Sequence, residues 1–220
     1  MSHTYEDLML DYLGEQHDVA EEWAEREREI VESFTQERLK SFYLDNPDVA
    51  EKAQKALSDS RRLLADGHPE AALVFAGTAI ELGYKTALLR PMVSGLVHNE
   101  TLADMIMGLT TEHTGLERFS KLLTAILAEF AAVDLKGFVR SGSDRKFWDE
   151  MTQVASERNS IVHKGNAVGE GAANVAIEVA ETLLDVLLPK VLRSIDLQIQ
   201  SGKIVNMFRF SVKWRGVALR

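Results

Sequence analysis

The stretch AALVFAGTAIELGYKTALL, residues 71–89, constrains the fold of this chain more than any other. On a helix its apolar and small residues cover nearly every side, so the helix must be enclosed by neighbours. Glu81 and Lys85 lie inside it, which makes it a buried core helix rather than a membrane span. Gly77, Ala79 and Gly83 are small enough for a neighbouring helix to come close. The surrounding sequence supplies such neighbours, because apolar residues recur three and four apart along most of its 220 residues. The expected fold class is all-α, with one sizeable core and no membrane segment.

The N-terminal part, 1–46, reads as one long amphipathic helix from about Thr4 to Leu44, with a break at Gly14 as the open question. Its apolar positions are Tyr5, Met9, Tyr12, Val19, Trp23, Ile30 and Phe34. These aromatics suit packing or dimer contacts, and forty helical residues span about 60 Å. Asn46 then reads as the N-cap of a second helix, about 48–65, with Pro47 in its first turn. Gly67 ends that helix. Pro69 opens the third, which is expected to stop before Pro91. Residues 92–142 read as an insertion holding a short helix (about 100–108) and a longer one (about 116–132). Ser143 or Asp144 would cap a sixth helix running to Val162, and the last starts near Gly171 with a kink at Pro189. The helical bundle thus spans 47–195. A basic tail, 196–220, follows, and in FRFSVKWR the apolar and polar residues alternate with the period of a strand. Such a strand must pair with its own hairpin, another subunit or another protein, or lie extended over the bundle.

Charge is unevenly spread. Residues 1–50 carry −10, residues 51–189 carry −5 and residues 190–220 carry +6, for a net −9. The overall sign argues against non-specific nucleic-acid binding, while the tail keeps a local exception open, with Arg209, Lys213 and Arg215 able to meet an RNA backbone or a partner protein. The chain has no cysteine, so neither disulfides nor thiolate metal sites are expected. A start without a basic region and a long apolar run gives no signal peptide, and a cytoplasmic location is expected. Five of the six histidines (His3, His17, His68, His98 and His113) are scattered without metal-ligand spacing, so no metal is expected. GEGAAN, 169–174, follows no strand and lacks the third glycine of a dinucleotide loop, so no cofactor is expected either.

The sixth histidine differs. In ERNSIVHKG, residues 157–165, Asn159 and His163 are four apart and share one helix face, and the long side chain of Arg158 can reach over it. Gly165 suits the position that ends a helix. An imidazole can exchange a proton near neutral pH, and a guanidinium can hold a phosphate through two parallel hydrogen bonds. Those are the parts needed to cleave RNA without metal. With 14 arginines and 6 histidines, chance predicts about 0.4 matches to R-x4-H; requiring asparagine second lowers this to about 0.01. The plain alternative is a helix end whose histidine bonds last-turn carbonyls and whose arginine is salt-bridged.

RNSIVH resembles the R-x4-6-H signature of HEPN domains, in which a polar residue commonly follows the arginine. The expected order of elements also resembles that family over about residues 48–195: two antiparallel core helices, a variable insertion, a helix ending in the motif and a final long helix. The resemblance implies a metal-independent endoribonuclease, a homodimer with two motifs facing one cleft, acting in toxin–antitoxin or antiviral defence under an antitoxin or regulatory protein. It implies Arg158 and His163 as the catalytic pair, oriented by Asn159. Lys164 beside them is either an RNA contact or a solvated side chain. It also implies Glu81 as the acidic residue on an earlier core helix, for which an ion pair with Lys85 is the structural alternative. Members paired with a nucleotidyltransferase antitoxin often carry R-x4-H-x-Y, whereas this chain has Gly165 at the last place. The other function class open to the chain is a non-catalytic helical module that binds a protein partner or a nucleotide.

Overall fold

The computed structural model describes residues 5–97, 99–111 and 120–207. They are mostly helical, as expected. Helix α1, Tyr5–Asp45, runs unbroken through Gly14. Its last turns do not stand apart from the bundle. Leu39 and Tyr43 are fully buried in the core, and the Tyr43 hydroxyl donates to the Ala87 carbonyl at 2.7 Å. Residue 46 therefore marks the end of a helix, not the edge of the core.

Asn46 does not cap the second helix. Its side-chain amide donates back to the Phe42 carbonyl, and a turn over 47–50 intervenes before α2, Glu51–Ala65. Gly67 ends α2 at φ +80°, with its own N–H bonded to the Leu64 carbonyl and that of His68 to Leu63. That pair of bonds is the Schellman arrangement, which needs a left-handed residue and so favours glycine.

Helix α3, Pro69–Leu82, sits at the centre, with Ala72, Leu73, Ala76, Ala79 and Ile80 buried. The helix does not stop before Pro91. It widens into a π-helical segment over Gly83–Leu89 and continues as α4, Arg90–Leu96. The Arg90 N–H bonds the Lys85 carbonyl five residues back. A proline ring collides with the carbonyl four residues before it, and the wider turn relieves that collision without breaking the rod. Met92 and Val93 are in the core, so the insertion begins after α4 rather than at 92. It contributes α5, Glu100–Thr111, and α6, Ser120–Ala131, whose Ala103 and Leu127 join the same core.

Helix α7, Phe147–Lys164, starts without a side-chain cap: Lys146 holds the N-cap position, and neither Ser143 nor Asp144 serves. Helix α8, Glu170–Glu181, passes through a second π-helical segment, Thr182–Leu187, into α9, Leu188–Ser194. Pro189 stands just after this segment as Pro91 stands just after the first, so the irregularity expected at Pro189 takes the same form.

The two π-helical segments meet at Gly83. A β-carbon there would lie 2.7 Å from Leu184 Cδ2 and 3.2 Å from Leu183 Cδ2. Both leucines are 1% exposed and have little room to move. Gly83→Val is expected to lower stability by about 1–3 kcal/mol through overpacking, read as a drop in the denaturation midpoint. An unchanged midpoint would mean that the leucines repack freely.

After α9 come two short antiparallel strands, β1 (Leu197–Gln200) and β2 (Lys203–Asn206), in register Leu197 to Asn206 and Gln200 to Lys203. Ser201 and Gly202 join them with φ +52° and +77°, the two positive values of the tight hairpin turn. The Ile204 N–H bonds the Pro47 carbonyl, tying the hairpin to the turn after α1. The strand expected at FRFSVKWR, with Arg209, Lys213 and Arg215, lies outside the described residues.

Candidate functional site

Helix α7 lies across α3, and the closeness depends on a missing side chain. A β-carbon at Gly77 would sit 3.0 Å from Arg158 Cδ, so glycine there lets the arginine stem lie flat on α3. The stem leads the guanidinium to Glu81, with Arg158 Nη1 at 3.8 Å from Glu81 Oε2. Glu81 is held more tightly by Lys85, whose Nζ donates to Oε1 at 2.7 Å. Glu81 therefore contacts both Lys85 and Arg158. The Lys85 pair is the shorter, and the Arg158 contact is a long, partly solvated one that adds little stability. Arg158 Nε is buried without a hydrogen-bond partner.

The helix end forms as its sequence predicts. Gly165 adopts φ +66°, and its N–H bonds the Ile161 carbonyl, closing the last turn. The Asn166 side-chain amide donates to the Ser160 hydroxyl at 2.6 Å, and the Val168 N–H donates to a Glu70 carboxylate oxygen. These bonds hold the connection to α8 against α7 and α3. Asn159, His163 and Lys164 are all exposed.

Arg158 and His163 do not point the same way. Five residues on a helix turn the direction by about 140° and advance about 7.5 Å. Arg158 leans onto α3, while His163 faces solvent on the side it shares with Asn159. A phosphate bound by Arg158 of one chain is therefore poorly placed for His163 of the same chain.

The sequence gives little sign of a second polar centre beside this one. Arg140, in the connection before α7, is 8% exposed and Glu150 in α7 is 3% exposed. Arg140 Nε donates to Glu150 Oε2 at 2.9 Å, and the Ser143 hydroxyl donates to Oε1 at 2.9 Å. Arg140 Nη1 reaches Glu178 of α8 at 2.8 Å. This network borders a cleft of about 550 Å³ lined by Arg61, Arg140, Ser141, Glu178, Glu181 and Asp185, among others. Arg61 pairs with Glu181 at 2.8 Å and Asp185 at 3.6 Å. The signal available was the spacing of Glu178, Glu181 and Asp185, but nothing local assigns arginines to them.

Burial pushes the Asp185 carboxyl up, Arg61 pulls it down and Glu181 pushes it up again, with a net rise. A carboxyl raised in the folded state favours folding while it is protonated, and that contribution is lost as pH rises through its folded value. Asp185→Asn is therefore expected to raise the melting temperature slightly at pH 7 and to leave it unchanged at acid pH, where both side chains are neutral. A melting temperature lowered at pH 7 would mean that the Arg61 contact outweighs the burial.

Burial likewise pushes the Tyr43 and Tyr84 hydroxyls up. Among the described residues no group of three or more histidines and carboxylates is placed to hold a metal ion. The helix formed by α3, the first π-helical segment and α4 is long and apolar enough by composition to cross a membrane, but most of its apolar side chains are enclosed by the protein, with Leu73, Ile80, Leu88 and Met92 at 1% exposure or less. A scan against protein-family models gives no match for this chain, and searches of the curated proteins and of the solved structures give none either.

Proposed function

We propose that the chain is a metal-independent endoribonuclease of the HEPN type, working as a homodimer in the cytoplasm as a toxin or defence effector under an inhibitory partner. One observation carries this reading: Arg158 is seated on α3 by Gly77 and Glu81, five residues before an exposed His163 at a glycine-closed helix end. Two such ends facing each other supply guanidinium and imidazole from different chains, which answers the divergence of the pair within one chain. The reaction balances without a redox partner. His163 removes the proton from a 2′-OH, the 2′-oxygen bonds to phosphorus, and the P–O5′ bond breaks. The 5′-oxygen leaves with a proton taken from solvent, to which the His163 imidazolium returns its own, giving a 2′,3′-cyclic phosphate and a 5′-hydroxyl. Arg158 holds the phosphoryl oxygens as negative charge grows on them. Asn159 orients the imidazole, and Lys164 meets the RNA backbone.

The short Glu81–Lys85 pair favours the second reading, a non-catalytic module binding a protein or a nucleotide, because it leaves Arg158 the weaker partner of Glu81. Incubation of end-labelled RNA with the wild-type chain in EDTA separates the two. The nuclease reading expects cleavage with 2′,3′-cyclic ends. No cleavage would favour the binding module, and cleavage that needs added Mg²⁺ and leaves 3′-hydroxyl ends would also overturn it.

A further inference from the structure

The exposed part of α1 carries large apolar side chains among its charges. Trp23 and Ile30 are 67% and 69% exposed, and Val31 beside them is 59% exposed. Trp23 and Ile30, seven residues apart, point within about 20° of each other, so they form one stripe. Leu39, nine residues after Ile30, points about 180° away and is buried. The stripe therefore faces away from the side by which α1 joins the bundle. Large apolar side chains in such a row mark a contact surface.

Charge selects among occupants. Residues 5–45 hold 13 acids and 4 bases, net −9. A second α1 laid on the stripe brings another −9. Residues 208–220 hold four bases and no acid, and Phe208, Phe210, Val212 and Trp214 alternate with Arg209, Ser211, Lys213 and Arg215. Extended, that segment offers an apolar edge to the stripe and a basic edge to the carboxylates flanking it.

Reach is sufficient. The Met207 N–H bonds the Asp196 carbonyl, and the Asp196 carboxylate lies 3.7 Å from Lys40 of α1, so the chain leaves the hairpin beside α1. From Lys40 to Ile30 is about 15 Å along the helix and to Trp23 about 25 Å. Thirteen extended residues span about 43 Å. We propose that residues 208–220 dock in cis along the Trp23–Ile30 stripe of α1, running antiparallel to the helix. Arg209, Lys213 and Arg215 then face the carboxylates of α1 instead of RNA. This assignment stands on charge, exposure and reach and is independent of the catalytic reading.

The absence of cysteine makes the test direct, because any disulfide must come from introduced residues. In the proposed docked arrangement Val212 falls about 16 Å beyond Met207, level with Ile30. The full chain carrying Ile30→Cys and Val212→Cys is oxidised mildly and run without reductant, beside a control pairing Val212→Cys with Val186→Cys, an exposed site. Docking in cis expects an intrachain product formed at least roughly tenfold faster than in the control, through the higher effective concentration. The rate should fall in high salt as the charges are screened. Equal rates in the two pairs would show a tail that samples the surface without docking. A product dominated by disulfide-linked dimers would assign the stripe to a second copy. Absence of any product would place the tail elsewhere. Each of these three results overturns the proposal.

Discussion

Arg140→Met will cost this protein about 3–5 kcal/mol of stability, the loss expected when one partner is taken from a buried ion pair. Arg140 is 8% exposed and Glu150 3%, so the carboxylate left behind is largely shielded from water. The Ser143 hydroxyl would be its one remaining hydrogen-bond donor among the described residues. The Arg140–Glu178 contact adds less, since the Glu178 side chain is 52% exposed and solvated. The comparison that isolates the cause is Arg140→Met with Glu150→Met. Removing both charges leaves no orphan, so the double variant should be more stable than Arg140→Met alone. Chemical denaturation of the two variants and the wild type measures this. A single-variant loss under about 1 kcal/mol would mean that water or a rearranged side chain takes over from Arg140. The pair also joins the connection before α7 to α7 itself, the helix that carries Arg158 and His163. Weakening it should loosen the seat of the candidate site as well as the core.

The helices were legible because their signals are local. Apolar spacing marked α1, α2, α3 and α8, and the glycine after Lys164 marked the end of α7. What was missed depends on contacts between distant residues. Pro91 reads as a stop from its neighbours alone. It is tolerated because the helix widens over Gly83–Leu89, at a place where Gly83 admits Leu183 and Leu184 from 100 residues away. Asn46 reads as a cap, but the chain turns through 47–50 first, where the Pro47 carbonyl accepts a bond from Ile204 of the hairpin. The hairpin itself was signalled by Ser201–Gly202 between alternating residues, a signal hidden by the more apolar alternation of FRFSVKWR. The Arg140–Glu150 pair had no signal of its own, because burial of a charge depends on what folds over it. For the candidate site, RNSIVH gave the residue types and the helix end. It did not show that Gly77 makes room for Arg158, which takes two helices to see.

On the proposed nuclease reading, His163→Ala should slow RNA cleavage by about 10²–10⁴-fold, the range lost with a proton-transferring side chain. The fold should be untouched. His163 is exposed and has no hydrogen bond to the described residues, so its removal should change stability by no more than about 0.5 kcal/mol. Arg158→Lys keeps the charge near Glu81 but loses the planar fork that grips two phosphoryl oxygens, and cleavage should fall by about 10²–10³-fold. Mixing the two inactive variants then asks which chain supplies which group. If Arg158 and His163 of one chain act together, every site in a mixed dimer lacks one of them and the mixture stays inactive. If each site takes Arg158 from one chain and His163 from the other, a mixed dimer has one site with both groups intact. Half the dimers are mixed at equal concentrations, so exchange of subunits should restore about a quarter of wild-type activity. The divergence of about 140° along α7 favours the shared site. Recovery of activity on mixing would establish that two helix ends make one active site. A mixture as silent as its components, with mixed dimers present, would mean that Arg158 and His163 of one chain act together, and the shared site would be overturned.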